Sequence, residues 1–253
     1  MREYTNKITL AENGRGIWTI DPIMGCKTGI LKNEKGCFSD CYAARISKKY
    51  GYDFSKNVLR DFSSEKHLES IIKKINKLDF PFVRMGNSGD PSEDWDHTIS
   101  ILKKLKPINK QVVIITRHWN LLSKENLSDL KKLNVCINTS ISAIDDDLER
   151  NINQYKLLKK YCVSVLRCVS FDFNLNNKKG FEFSKIQDYI FEKYDVLDTV
   201  FRTYKNNKMV LDGVIKIKET KFLGKKCYVS KRNKKTYFGN CLNCIDKCGF
   251  YKK

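Results

Sequence analysis

The stretch Val135-Cys136-Ile137-Asn138-Thr139-Ser140-Ile141-Ser142 is the most informative about the fold. Side chains of a strand alternate between two faces. Val135, Ile137, Thr139 and Ile141 therefore share one side, and Cys136, Asn138, Ser140 and Ser142 the other. The first side suits a cover of helices, so the second, polar side is expected to line a lumen. An edge strand with one wet face is the alternative the pattern leaves open. Just beyond, Asp145-Asp146-Asp147 precedes Leu148, Ile152, Tyr155 and Leu158, a spacing that predicts a helix over 147–160 started by the acidic run.

The same strand–helix unit recurs on both sides. Strands are predicted at 17–20, 82–86, 112–116, 135–142, 163–171 and 199–204, and helices at 43–50, 65–78, 95–105, 124–133, 147–160 and 184–194. Ser64 and Ser123 stand where helix caps belong. Six such alternations argue for a parallel sheet with right-handed crossovers, either doubly wound or curved into an incomplete barrel. We expect an α/β fold: a partial (βα)6 TIM-like barrel over residues 1–204, with a cysteine-rich C-terminal extension over 205–253. In the extension, Met209 to Ile215 reads as a hairpin turning at Asp212-Gly213. Residues 53–63 fit a helix by Phe54, Val58 and Phe62, or a loop by Asp53, Ser55 and Asn57. Arg167 and Arg202 fall on the fifth and sixth strands, where a guanidinium is costly to bury unless paired. A lumen that binds a carboxylate explains both.

The chain has 253 residues, 41% apolar and 30% charged, and no apolar run long enough for a transmembrane helix. Residues 1–7 lack the apolar stretch of a secretory signal, so a cytoplasmic location without membrane contact is expected. The net charge of +19 comes from 38 lysines and 10 arginines. Lysine pairs such as Lys103-Lys104, Lys131-Lys132 and Lys159-Lys160 fall on predicted helix faces. Arginine, whose forked donors match phosphate, is the better sign of a polyanionic partner. Scattered surface lysine and nucleic-acid binding both remain open on charge alone.

Ten cysteines in a reducing compartment point to metal ligation rather than disulfides. Cys26, Cys37 and Cys41 follow the first strand with spacing C-x10-C-x3-C, at the strand end where functional groups gather in barrels. The three histidines, His67, His97 and His118, are distant in sequence. Three thiolates suit a [4Fe–4S] cube with one open iron; a zinc site would need a fourth ligand from elsewhere. In the tail, Cys227, Cys241, Cys244 and Cys248 form a set of four that fits either a second [4Fe–4S] cluster or a zinc ion. Cys136, Cys162 and Cys168 read as small buried apolar residues. Ser88-Gly89-Asp90-Pro91 follows the second strand: Gly86 and Gly89 permit close backbone approach, and Asp90 can accept from an ammonium group or simply shape a turn.

The cysteine loop ending Cys41-Tyr42-Ala43, the six strand–helix units and Ser88-Gly89-Asp90-Pro91 together resemble the radical S-adenosylmethionine superfamily. In style they are similar to phage-associated, three-cysteine members with a lengthened loop; the common cluster spacing in the superfamily is C-x3-C-x2-C. The resemblance covers about residues 15–204. It implies a [4Fe–4S] cluster on Cys26, Cys37 and Cys41, with S-adenosylmethionine chelating the open iron. It also implies that Ser88, Gly89 and Asp90 contact the methionyl amine, Asn138 or Ser140 the ribose, and Arg167 the carboxylate. Tyr42, like Trp95 and Trp119, is a candidate for stacking on adenine or for plain packing. The implied activity is reductive cleavage to a 5′-deoxyadenosyl radical that takes hydrogen from a substrate, fed by a reductant such as flavodoxin or ferredoxin. A zinc-stapled nucleic-acid-binding protein and a non-catalytic iron–sulfur carrier or sensor are the other classes the residues admit.

Overall fold

The computed structural model describes residues 4–31, 41–222 and 224–250. In chain order its elements are β1 (Ala11–Glu12), β2 (Trp18–Thr19), β3 (Ile23–Met24), α1 (Lys27–Leu31), α2 (Tyr42–Lys49), β4 (Val58–Leu59), α3 (Glu65–Asn76) and β5 (Phe82–Met85). There follow α4 (Trp95–Lys104), β6 (Gln111–Thr116), α5 (Lys124–Leu130), β7 (Val135–Ile141), α6 (Leu148–Leu158), β8 (Val163–Ser170), β9 (Asp172–Phe173) and α7 (Lys178–Lys193). The chain continues with β10 (Val196–Thr203), α8 (Lys208–Leu211), β11 (Ile215–Lys216), β12 (Lys218–Phe222) and β13 (Lys225–Ser230).

The fold is mixed α/β around a nine-stranded, mostly parallel sheet in the order β1-β2-β5-β6-β7-β8-β10-β13-β12. The run from β2 to β10 is parallel throughout. Each of these six strands lies beside its predecessor, so the order never reverses as a doubly wound sheet requires. The sheet does not close on itself: β1 and β12 are its edges. The extension is continuous with it, because β13 pairs antiparallel with β10 and β12 with β13.

Period two sorts the strand residues into two environments. Val83, Met85, Val112, Ile114, Val135 and Ile137 pack in one core with helix residues such as Ile75, Ile99, Leu102 and Leu130. Ile141, Leu166 and Cys168 continue that face under α6 and α7. On the opposite face Phe82, Val113, Cys136, Val165 and Leu197 pack against Cys241, with Cys248 and Phe250 beside them. The tail thus covers the early half of the sheet's inner face, and the Asn138 amide fastens it by donating to the Cys248 carbonyl at 3.0 Å.

Ser64 and Ser123 cap α3 and α5 by accepting from the backbone N–H of His67 and Asn126. The acidic run before α6 acts differently. Asp147 gives no side-chain cap, while Asp145 accepts from the Ser142 backbone and hydroxyl and pairs with the buried Arg117 at 2.6 Å. The hairpin expected at Asp212-Gly213 is instead a helical turn. Asn207 caps α8 by accepting from the Met209 N–H, and Gly213 at φ +67° ends it, as a left-handed glycine does. The antiparallel pair lies later, in β12 and β13. Residues 53–63 contain β4, paired with β3. Helix α7 begins at Lys178, earlier than predicted, with Asn177 accepting from the Gly180 N–H. No helix of the described residues is long and apolar enough to cross a membrane.

His118 follows β6 with no exposed surface; it packs on Trp95, and its Nε2 lies 2.9 Å from the Thr139 hydroxyl. Burial, with Arg150 nearby, lowers its pKa to about 3 from an ordinary 6.5. Between those values the unfolded chain binds a proton that the folded chain refuses, so stability falls as pH drops below about 6.5. We expect urea midpoints to decline over that interval, and His118→Asn to remove part of the slope.

Candidate functional site

Period two also builds the site. On the inner face Phe82 is followed by Arg84, Cys136 by Asn138 and Ser140, and Val165 by Arg167. Above the apolar layer covered by the tail the sheet therefore turns polar toward the C-terminal ends of its strands. There lies a cavity of about 720 Å3, lined by Arg84, Ser140 and Arg167 from the sheet, Cys26, Cys41 and Tyr42 from the first loop, and Cys241, Cys244 and Cys248 from the tail. That volume is in the usual range for a ligand pocket.

The loop carrying the first cysteines is held by close backbone contact. Gly25 bridges Gly89, donating its N–H to the Ser88 carbonyl at 3.0 Å. A Cβ on Gly89 would lie 2.4 Å from the Ile23 carbonyl oxygen and 2.7 Å from that of Gly25. Glycine here lets the two segments touch. Cys26 donates its N–H to the Phe54 carbonyl at 2.9 Å, and its sulfur accepts from the Trp119 indole at 3.2 Å. Burial, then Asp90 and Glu93, push the Cys26 thiol well above its ordinary pKa. Cys41 stands at the N-cap of α2 and lends it no side-chain hydrogen bond, leaving its sulfur to the cavity. Cys37, the third predicted ligand, lies outside the described residues.

The segment after β5 turns on Asp21, which is buried. One carboxylate oxygen accepts from the N–H groups of Gly86 (2.9 Å) and Asn87 (3.0 Å), the other from Ser88 (3.0 Å). Burial raises the Asp21 pKa; these amides and Arg84 oppose the rise. Gly86 has φ +85°, and a Cβ there would meet the Ile115 carbonyl at 2.2 Å. Ser88 and Gly89 face the cavity, as does Asp90. The Asp90 carboxylate is already engaged: it accepts from the Ser92 N–H and hydroxyl, the Thr116 hydroxyl and the Arg117 N–H at 2.6–2.9 Å. It therefore shapes the turn into Pro91–Glu93. Tyr42 is likewise bound, its hydroxyl donating to the Asn87 carbonyl at 2.6 Å while the Arg202 guanidinium lies 4.3 Å from its ring centre.

Of the residues expected at the ribose, Ser140 lines the cavity; Asn138 lies beneath it, fixing the tail. Arg167 lines the cavity, and its guanidinium has no hydrogen bond or ion pair with any described residue. The four tail cysteines are not gathered: Cys241, Cys244 and Cys248 line the cavity, whereas Cys227 sits on β13 opposite Thr220. Among the described residues no three Cys, His, Asp or Glu side chains are grouped to hold a metal. Cys136 and Cys168 are fully buried, and burial pushes the Cys136 and Cys162 thiols up to about 12, as apolar roles require. Trp95 is core, its indole donating to the Asn120 carbonyl at 2.9 Å.

Three residues were not anticipated from sequence. Arg84 sits in the apolar run Phe82-Val83-Arg84-Met85, and the cost of burying it was the available signal, as it was for Arg167 and Arg202. Arg15 and Asp21 lie in short connections with no periodicity to mark them. No known family model matches the chain, and no curated protein sequence matches it.

Asp21→Asn would set an amide donor against one of the three N–H groups now satisfied. We expect a loss of about 1–3 kcal/mol, the cost of an unmet buried donor, read by thermal unfolding. Hydrogen exchange should quicken at Gly86, Asn87 and Ser88.

Proposed function

We propose that this protein is a radical S-adenosylmethionine enzyme built on a partial (βα)6 barrel. The observation that carries the reading is the direct contact between the Gly86–Gly89 segment and the cysteine loop at the C-terminal ends of parallel strands, with Arg167 unpaired across the cavity. A [4Fe–4S] cluster and S-adenosylmethionine held here would supply one-electron reductive cleavage of the cofactor's carbon–sulfur bond and, through the 5′-deoxyadenosyl radical, hydrogen abstraction from the substrate.

Cys26, Cys37 and Cys41 are the residues that would hold the cluster. The donor chemistry suits it: the Cys26 and Cys41 sulfurs line the cavity with no histidine among its residues, and an indole N–H is aimed at the Cys26 sulfur. A hydrogen bond to a ligand sulfur tunes a cluster's potential. The Gly86–Gly89 backbone and the Ser88 hydroxyl offer polar contacts for the methionyl amine. Asp90, spent on four internal donors, sets the path of that backbone instead of reaching the ligand. Arg167 is the partner for the methionyl carboxylate, and Ser140 the polar group from β7 for the ribose. Tyr42 and Trp119 line the wall and limit water, which an unselective radical requires. An external one-electron donor of the flavodoxin or ferredoxin kind must feed the site. The tail cysteines in the arrangement seen do not fit a closed four-thiolate site, and no step is routed through one.

Protein purified and reconstituted without oxygen should contain iron and sulfide in near-equal amounts and absorb broadly in the visible. With dithionite and S-adenosylmethionine it should form 5′-deoxyadenosine, and Cys26→Ala or Cys41→Ala should abolish both cluster and product. Arg167→Gln should keep the cluster but raise the KM for S-adenosylmethionine by roughly tenfold or more, the size of a lost charge-assisted pair. A colourless protein that holds only zinc would overturn the proposal, and an intact cluster with no cofactor cleavage would make it a carrier.

A further inference from the structure

The chain's arginines are concentrated where its lysines are scarce. Five of its 10 arginines (Arg15, Arg84, Arg117, Arg167 and Arg202) line the cavity, against Lys247 alone of the described lysines. Two other buried arginines, Arg60 outside the cavity and Arg117 on its wall, are occupied. Arg60 donates to the carbonyls of Lys7 and Asp21 and to the Thr9 hydroxyl, and Arg117 pairs with Asp145. The remaining four cavity guanidiniums are not. Arg84 is only 6% exposed, yet its Nε has no partner and its one hydrogen bond goes to the neutral Asn87 side chain at 2.9 Å. Among the described residues Arg15 reaches only the Gly239 carbonyl, and Arg202 only the face of Tyr42. Among the described residues the cavity carboxylates form no ion pair with them: Asp90 is saturated, Asp198 accepts from the Thr236 hydroxyl at 2.7 Å, and Asp246 on the tail pairs with none of the four. Asp21 lies behind Arg84 and offsets part of its charge, but four guanidiniums around one space still favour an added anion. If Arg167 serves the cofactor's carboxylate, three forks remain.

The rim beside α2 is aromatic. Tyr4 and Tyr52 stack with ring centres 4.5 Å apart and planes 6° from parallel, and Tyr50 is 56% exposed next to them. Aromatic faces beside forked cations are the two elements that bind a nucleotide without reading its sequence.

We propose that the substrate is a phosphate-bearing nucleotide, its phosphate held by Arg15, Arg84 and Arg202 and its base received by the tyrosines of the rim. This deepens the function proposed above and rests on it for the assignment of Arg167. The nucleotide is either free or part of a strand, and the +19 charge of the chain draws in both.

The test is fluorescence anisotropy of a labelled single-stranded deoxyoligonucleotide on the full chain, with thymidine 5′-monophosphate and thymidine as competitors. Binding is expected, with Arg84→Gln and Arg202→Gln each weakening it by roughly thirtyfold or more, as when a buried charge pair loses one member. Tyr50→Ala should weaken it by about tenfold. The exposed helix variants Lys131→Gln and Lys159→Gln should change it by less than about threefold. Arg202→Lys, which keeps the charge and loses the fork, should fall between wild type and Arg202→Gln and guards against a folding artefact. Competition by the monophosphate but not by thymidine identifies a free nucleotide; binding of the strand without such competition identifies a strand-held one. Equal losses in the arginine and lysine variants, or no binding of either probe, would overturn the proposal. 5′-Deoxyadenosine formation without nucleotide binding would overturn this inference and leave the radical chemistry standing; nucleotide binding without cofactor cleavage would do the reverse.

Discussion

A single buried carboxylate organises the cavity. Asp21 leaves β2 and accepts three consecutive N–H groups of the segment that leaves β5. An unpaired carboxylate at this depth would be expensive, and so would three unpaired amides; each solves the other's problem. The consequence is positional. Gly86 takes its left-handed turn, Gly89 comes against Ile23 and Gly25, and Cys26 is delivered to the cavity wall with its sulfur under the Trp119 indole. Tyr42 reads the same segment from the other side through the Asn87 carbonyl, which ties α2 and Cys41 to it.

The second constraint is the strand period. One face of the sheet is mostly apolar because helices cover it, and its few hydroxyls, such as Thr116, Thr139 and Ser164, are hydrogen-bonded. The other has two coverings in series: the apolar tail over the early half, the cavity over the late half. Asn138 stands at the border, which explains why it holds the Cys248 carbonyl while Ser140, two residues on, lines the cavity. The division of basic residues follows the same logic. Lysine stems lie along helix surfaces with their ammonium groups in water, while the guanidiniums of Arg84, Arg167 and Arg202 are carried inward on strands.

Much of this layout was legible in the chain. Long periodic segments such as 135–141 and 148–158 announce themselves, since burial on one face leaves a regular trace. The sequential strand–helix rhythm also located the cavity at the strand ends. What escaped were features set by a few backbone contacts: the two-residue strands β3 and β4, the early start of α7 behind Asn177, and the turn at Asn207. Asp90 illustrates a different difficulty. Its type and place suit a ligand contact, but only coordinates reveal that Ser92, Thr116 and Arg117 have already claimed its oxygens. The tail cysteines make the same point, for their spacing is that of one site, while Cys227 belongs to a strand and its three companions to the cavity.

The plug formed by residues 241–250 comes after every strand it touches. The complete parallel sheet, arginines included, is therefore synthesised before the piece that seals its underside. Until then Phe82, Val113, Cys136 and Val165 are bare, and an unsealed apolar layer of this kind invites aggregation or capture by a chaperone. Sealing is also the event that brings Cys241 and Cys248 beside Arg84 and Arg167. Maturation of the pocket is thus a late step in biosynthesis, dictated by chain order alone.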